Sequence, residues 1–184
     1  MSDYLKGDAF RQFVVIEVPG VIALWSWALV LLQAFPEVSS FVQLNAGASV
    51  FIGLAFTTAV GLVLEDVGAR IELMWDRLLA KSREEHESEW WEFLTTPRDE
   101  SLPAVGYLRS VLLRTKFELG ACPALISSIA GLWVAQCAFG VLPEIAFGVA
   151  AALHAALFAF LLYESWCGIS LLSDIRNRIL AAGK

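Results

Sequence analysis

The sequence predicts an all-α protein that crosses a membrane four times, and two observations support this fold class. First, 58% of its 184 residues are hydrophobic, whereas a soluble domain of this length is about 45–50% apolar. Second, four segments contain no charged residue over at least nineteen positions each: 18–36, 46–64, 119–143 and 145–163. Nineteen helical residues reach about 28 Å, close to the ~30 Å thickness of a hydrocarbon core. We therefore expect a single membrane domain over residues 1–184.

The basic residues predict how the chain is oriented. All thirteen Lys and Arg residues lie before the first span, between the second and third, or after the fourth. The two other connections, around Glu37 and Glu144, have none and are expected to be tight turns. Because basic residues are enriched on the cytoplasmic side, the sequence predicts that both termini and the central segment are cytoplasmic. The expected location is a bacterial inner membrane.

Three helices are expected to continue beyond the membrane. Val67, Ile71, Met74 and Leu78 recur at helical spacing after the second span, which predicts a helical extension over residues 65–94. Two prolines within 95–103 indicate a turn there. A returning helix over 104–118 and a last extension over 165–182 complete the prediction, and the three extensions should pack as a cytoplasmic bundle.

The second span has an unusual ridge of small and polar residues at every fourth position, listed from its predicted outer end: Asn45, Ser49, Gly53, Thr57, Gly61 and Glu65. Such ridges allow close packing between membrane helices. The alternative is a narrow polar path with Glu65 at its cytoplasmic mouth.

A second group is a ring of boundary carboxylates, Glu17, Glu65, Glu118 and Glu164, one at the expected cytoplasmic edge of each span. Basic residues should pair with them, because four carboxylates alone would repel one another. The expected network also includes Arg70, Glu72, Arg114 and Lys116. Three interpretations stay open: a structural salt-bridge network, a vestibule that attracts cations, and a metal or catalytic centre. The Glu-x-x-His spacing of di-metal bundles is absent, so we expect no metal or cofactor.

Two further features are candidates for function. His154 lies at the centre of the fourth span, where it either hydrogen-bonds to Ser127, Ser128 or Gln136 or serves a proton or ion path. Trp90 and Trp91 end the expected cytoplasmic helix, where they either cap the bundle or contact a headgroup or protein partner.

These features favour a homo-oligomeric pore or channel-like effector, because one chain of four spans can hardly enclose a water path. The alternative is a membrane anchor or sensor that docks a soluble cytoplasmic protein, and a membrane enzyme with a carboxylate site is third. The net charge of −6 argues against nucleic-acid binding. The expected partners are membrane lipid and further copies of the chain.

Overall fold

A computed structural model describes residues 13–79 and 103–182, and this part of the chain is helical with no strand. One turn of π-helix, Phe13–Glu17, leads directly into the first α-helix. Within the described residues, the α-helices are α1 (Val18–Ala34), α2 (Pro36–Leu44), α3 (Ala46–Leu79), α4 (Pro103–Phe139) and α5 (Glu144–Ala182). Trp90, Trp91 and the rest of the expected extension after Leu79 lie outside the described residues.

Four of the described helices are long and apolar enough to span a membrane, over Phe13–Ala34, Ala46–Trp75, Gly106–Phe139 and Glu144–Ile175. The predicted all-helical fold with four candidate spans is therefore confirmed. Helices α3, α4 and α5 contain 34, 37 and 39 residues. At ~1.5 Å per residue they are about 51–59 Å long, well beyond the ~30 Å of a hydrocarbon core.

The connection after the first span differs from the tight turn that was expected around Glu37. Phe35 adopts an extended conformation that ends α1, and Pro36 starts the nine-residue helix α2. Proline suits this first helical position because it has no N–H to lose. Asn45 ends α2, so the two spans are joined by a short helix.

The connection between α4 and α5 is a true turn. Gly140 has a φ of 60°, a left-handed conformation that glycine adopts without strain, and α4 ends just before it. The Gln136 amide then holds the turn, since Nε2 donates to the Leu142 carbonyl at 2.9 Å and Oε1 accepts from the Leu142 N–H at 3.0 Å. Helix α4, the third candidate span, therefore ends at Phe139 rather than at residue 143.

Helix α4 is the centre of the bundle and packs against α1, α3 and α5. Of the most apolar 18 residues of α4, 39% are buried, whereas the corresponding stretch of α5 is 6% buried. Helix α5 therefore has most of its surface exposed. Four buried residues form one core cluster: Ala121, Cys122, Leu125 and Leu161. We call the end of the bundle near Glu118 the charged end, and the end with the two connections the hairpin end.

The helices continue to pack on one another beyond the apolar segments. Leu108, Val111 and Leu172 form a buried cluster between α4 and α5. On α3, Trp75 meets Trp166 of α5 edge to face, with ring centroids 4.9 Å apart. The extensions are therefore part of the folded bundle.

Candidate functional site

The backbones of α1 and α3 touch at two points. A methyl group placed on Gly20 would overlap the Thr57 carbonyl, and one placed on Gly61 would overlap the Ile16 carbonyl. One glycine lies on α1 and the other on α3. The α-carbon of each glycine therefore lies against a backbone carbonyl group of the opposite segment. Small residues permit such close approach between membrane helices, and this approach fixes the register of α1 against α3.

Glu17 lies next to these contacts in the chain, and its carboxylate reaches α3. The Thr57 hydroxyl is 2.9 Å from Glu17 Oε2, and the Thr58 hydroxyl is 2.5 Å from Glu17 Oε1. The same hydroxyls lie 2.9 and 2.8 Å from the Leu54 carbonyl oxygen. We call Glu17, Thr57, Thr58 and the Leu54 carbonyl the Glu17 site. Five oxygen atoms of two helices meet there.

The Glu17 carboxylate is deeper in the apolar region than the sequence suggested. Its partner Thr57 precedes Leu64, the predicted end of the second span, by seven residues, which is ~10 Å along a helix. Glu17 forms no ion pair with any residue of the described ranges. The four boundary carboxylates therefore do not form a ring at one depth, because the touching backbones set the register of α1 on α3.

At the charged end, the structure pairs three of the predicted carboxylates with basic residues. Arg114 contacts Glu118 at 2.7 Å and also forms an ion pair with Glu164 on α5. Lys116 lies 4.0 Å from Glu65. Arg70 pairs with Asp66 at 3.0 Å on the exposed surface of α3, and Glu72 has a partner of its own.

Three buried polar atoms at this end have no hydrogen-bond partner in the described part of the chain. They are Trp75 Nε1 on α3 and, on α4, Glu118 Oε2 and Thr115 Oγ1. Thr115 faces Gly168 of α5, where an added Cβ would overlap its hydroxyl. The Glu118 carboxylate is therefore only half satisfied, and it depends on Arg114 for its one ionic contact.

The predicted ridge on α3 has two different environments. Its Thr57–Gly61 half packs inside the chain against α1. In the other half, Asn45 is exposed, and its side-chain amide donates to the Phe41 carbonyl of α2. Ser49 Oγ is buried and has no partner in the described residues, whereas a Cβ on Gly53 would meet nothing within 4 Å. We call Asn45, Ser49 and Gly53 the open face of α3.

His154 bonds to Ser128, one of the three partners expected from the sequence. Nδ1 lies 2.8 Å from the Ala150 carbonyl and Nε2 lies 3.0 Å from the Ser128 hydroxyl. Since a carbonyl only accepts, Nδ1 donates to it, and in a neutral ring Nε2 would then accept from the Ser128 hydroxyl. Trp25 Nε1 donates to the same hydroxyl at 2.6 Å. A chain of hydrogen bonds thus joins α1, α4 and α5.

Neighbouring residues extend this chain into a polar cluster between α1 and α4. The Ser26 hydroxyl donates to the Ser128 carbonyl at 2.7 Å, and Trp27 Nε1 donates to the Ser127 carbonyl at 3.1 Å. Sequence reasoning missed the residues that α1 contributes. The available signal was a serine between two tryptophans facing a serine pair in another span. Thr58 was also missed, because it lies one position off the ridge.

A comparison of the chain with protein-family models, with curated proteins and with solved structures finds no match.

Proposed function

We propose that the protein assembles from several copies into a cation-conducting pore in a bacterial inner membrane, with both termini in the cytoplasm. The observation that supports this proposal is the open face of α3. Gly53 lies on the outside of a single chain, and the Ser49 hydroxyl oxygen, one turn away, is buried without a partner in the described residues; both lie within a segment that is apolar enough to span the membrane. The exposed Asn45 directly precedes this segment. A polar group without a partner in an apolar segment is unfavourable, so this surface favours contact with water or with another copy.

The interior of one chain does not supply an alternative path. Between α1, α4 and α5, polar side chains are bonded to one another, as in the cluster of Ser26, Ser128 and His154. The touching backbones at Gly61 also close the ridge within the chain. A conducting path therefore requires an arrangement of several chains around an axis, with the open face of α3 toward that axis.

The charges near the expected path favour cations. The open face leads along α3 toward the Glu17 carboxylate, which has no ion pair in the described residues. Rings of acidic side chains attract cations into channels. In an oligomer, several copies of Glu17 would give the inner part of the path a negative potential.

Modification of single cysteines during current recording tests this proposal. Cys122, Cys137 and Cys167 are first replaced by serine or alanine, and cysteine is then placed at Ser49 or Gly53. We expect a positively charged thiol reagent to reduce the current through both variants in planar bilayers. Phe51→Cys is the matched control, because Phe51 is 76% exposed but off the ridge, and its current should not change. Absence of current from purified wild-type oligomers would contradict the pore.

A second candidate, an anchor or sensor that docks a soluble protein, is favoured by the far part of α3. Leu73, Met74 and Leu78 are exposed beyond the predicted membrane edge. A photo-crosslinking residue at Met74 would then give an adduct with a soluble protein in intact cells. The same residue at Leu62, within the span, would react only with lipid or with another copy of the chain.

A further inference from the structure

We propose that the Glu17 site binds a small monovalent cation, with Na⁺ as the best match. Its ligands are the Glu17 carboxylate, the Thr57 and Thr58 hydroxyls and the Leu54 carbonyl. The proposal specifies an ion for the inner part of the proposed path, but it rests on the geometry of one chain.

The charge of the site favours a monovalent cation. Glu17 brings one negative charge into an apolar segment and has no ion pair with any described residue. A carboxylate in such a place is costly unless a positive charge or several donors offset it. One monovalent cation would neutralise the site, whereas a divalent cation would leave an excess of positive charge.

The two hydroxyls of the site supply too few hydrogen atoms for all four of its close oxygen–oxygen contacts. Four O···O contacts of 2.5–2.9 Å join the two hydroxyls to the Glu17 carboxylate and the Leu54 carbonyl. Each hydroxyl has one hydrogen, so an ionised Glu17 leaves two of the four contacts without a hydrogen between the oxygens. A cation coordinated by these oxygens would offset the repulsion between the lone pairs that face each other.

The ligand atoms and the close approach of the two helices favour a hard and small cation. The site contains five oxygen atoms and no nitrogen or sulfur, and hard cations prefer such ligands. Here the backbones touch at Gly20 and Gly61, so the two helices have little freedom to move apart. A small ion therefore fits better than K⁺.

The π-helical turn gives Glu17 its position. Phe13–Glu17 forms wider backbone loops than an α-helix, and Pro19 follows without an N–H to donate. Single π-turns inside helices are frequent at functional sites. Here the π-helical turn itself contains Glu17, whose carboxylate reaches α3, and the turn is continuous with α1.

The test is thermal unfolding of the purified protein in detergent, in NaCl or in choline chloride at equal ionic strength. At a Na⁺ concentration about ten times its dissociation constant, we expect the melting temperature to rise by about 3–5 °C. KCl should give a smaller rise. Glu17→Gln should abolish the Na⁺-specific rise, while Asp66→Asn, which removes an exposed carboxylate, should retain it.

Thr58 supplies a second pair of variants in case Glu17→Gln does not fold. Thr58→Val removes one ligand and should weaken Na⁺ binding tenfold or more, whereas Thr58→Ser keeps the hydroxyl and should bind as wild type. Equal melting temperatures in Na⁺ and choline would overturn the proposal, as would a Na⁺ effect that survives Glu17→Gln. A melting temperature that depends on pH but not on Na⁺ would mean that the Glu17 site holds a proton instead of a metal cation, which would also overturn the proposal. The assay needs no current, so a failure of the pore does not affect it.

Discussion

The carbonyl oxygen of Ile16 lies against the α-carbon of Gly61, with no room for a side chain between them. Gly53, two turns away on the same helix, has nothing within 4 Å of the position of a Cβ. Of these two glycines on the same ridge, Gly61 is required by a backbone contact, whereas the space around Gly53 would admit a larger side chain.

We expect Gly61→Ala to destabilise the chain by about 1–3 kcal/mol or more, because backbone atoms must move to admit the methyl group. Gly61→Leu should prevent α1 and α3 from packing. Gly53→Leu, the matched control, should fold as wild type. The yield of monodisperse protein in gel filtration measures whether α1 and α3 pack, and the melting temperature of that protein measures the destabilisation. A wild-type melting temperature for Gly61→Ala would disprove the contact, and a smaller oligomer for Gly53→Leu would place a subunit interface there.

The hydrogen bond between Ser128 and His154 should be measurable as a coupling energy. A double-mutant cycle with Ser128→Ala and His154→Ala should give about 0.6 kcal/mol, and at most about 1.7 kcal/mol, as for polar pairs in other membrane proteins. Ser127→Ala with His154→Ala is the control and should give no coupling, because Ser127 bonds to Trp27 and the Ala23 carbonyl. Equal coupling in both cycles would mean that the ring does not bond to Ser128.

Substitutions in the charged end should follow a definite order of destabilisation. Arg114→Met should cost most, about 1–3 kcal/mol, because it leaves the buried Glu118 carboxylate with no cation. Glu118→Gln should cost less, since Arg114 keeps Glu164. Glu65→Gln should cost about 0–1 kcal/mol, because Lys116 is 4.0 Å away and both side chains are about one-third exposed. Unfolding in a detergent series measures all three, and a larger effect of Glu65→Gln would contradict the assigned pairs.

The proposed orientation predicts which connections are accessible from outside the cell. A reporter that works only outside should be active when inserted at Ser39 and silent after Glu100 or at the C-terminus, since the basic residues favour the cytoplasm. The opposite pattern would exclude both the orientation and the cytoplasmic location of the charged end.

The sequence was sufficient for the helices but not for their register. Charge-free segments marked the four candidate spans, because helices that face lipid are apolar on all sides. The short helix at Pro36 was missed, although a proline followed by Glu37 also starts helices. The depth of Glu17 could not be predicted, since it depends on where Gly20 and Gly61 meet the other helix. For the same reason, no pattern within α3 alone could separate Thr57 from Gly53.

The central position of α4 has a consequence for how the chain is made. The ribosome completes α1 and α3 before it begins α4, so the Glu17 site can form while α4 and α5 are still to be made. The bonds between α4 and α5, including those of Arg114 with Glu164 and of Ser128 with His154, form only after α5 has been made. The order of synthesis thus places the contacts of α1 with α3 before those that join α4 to α5.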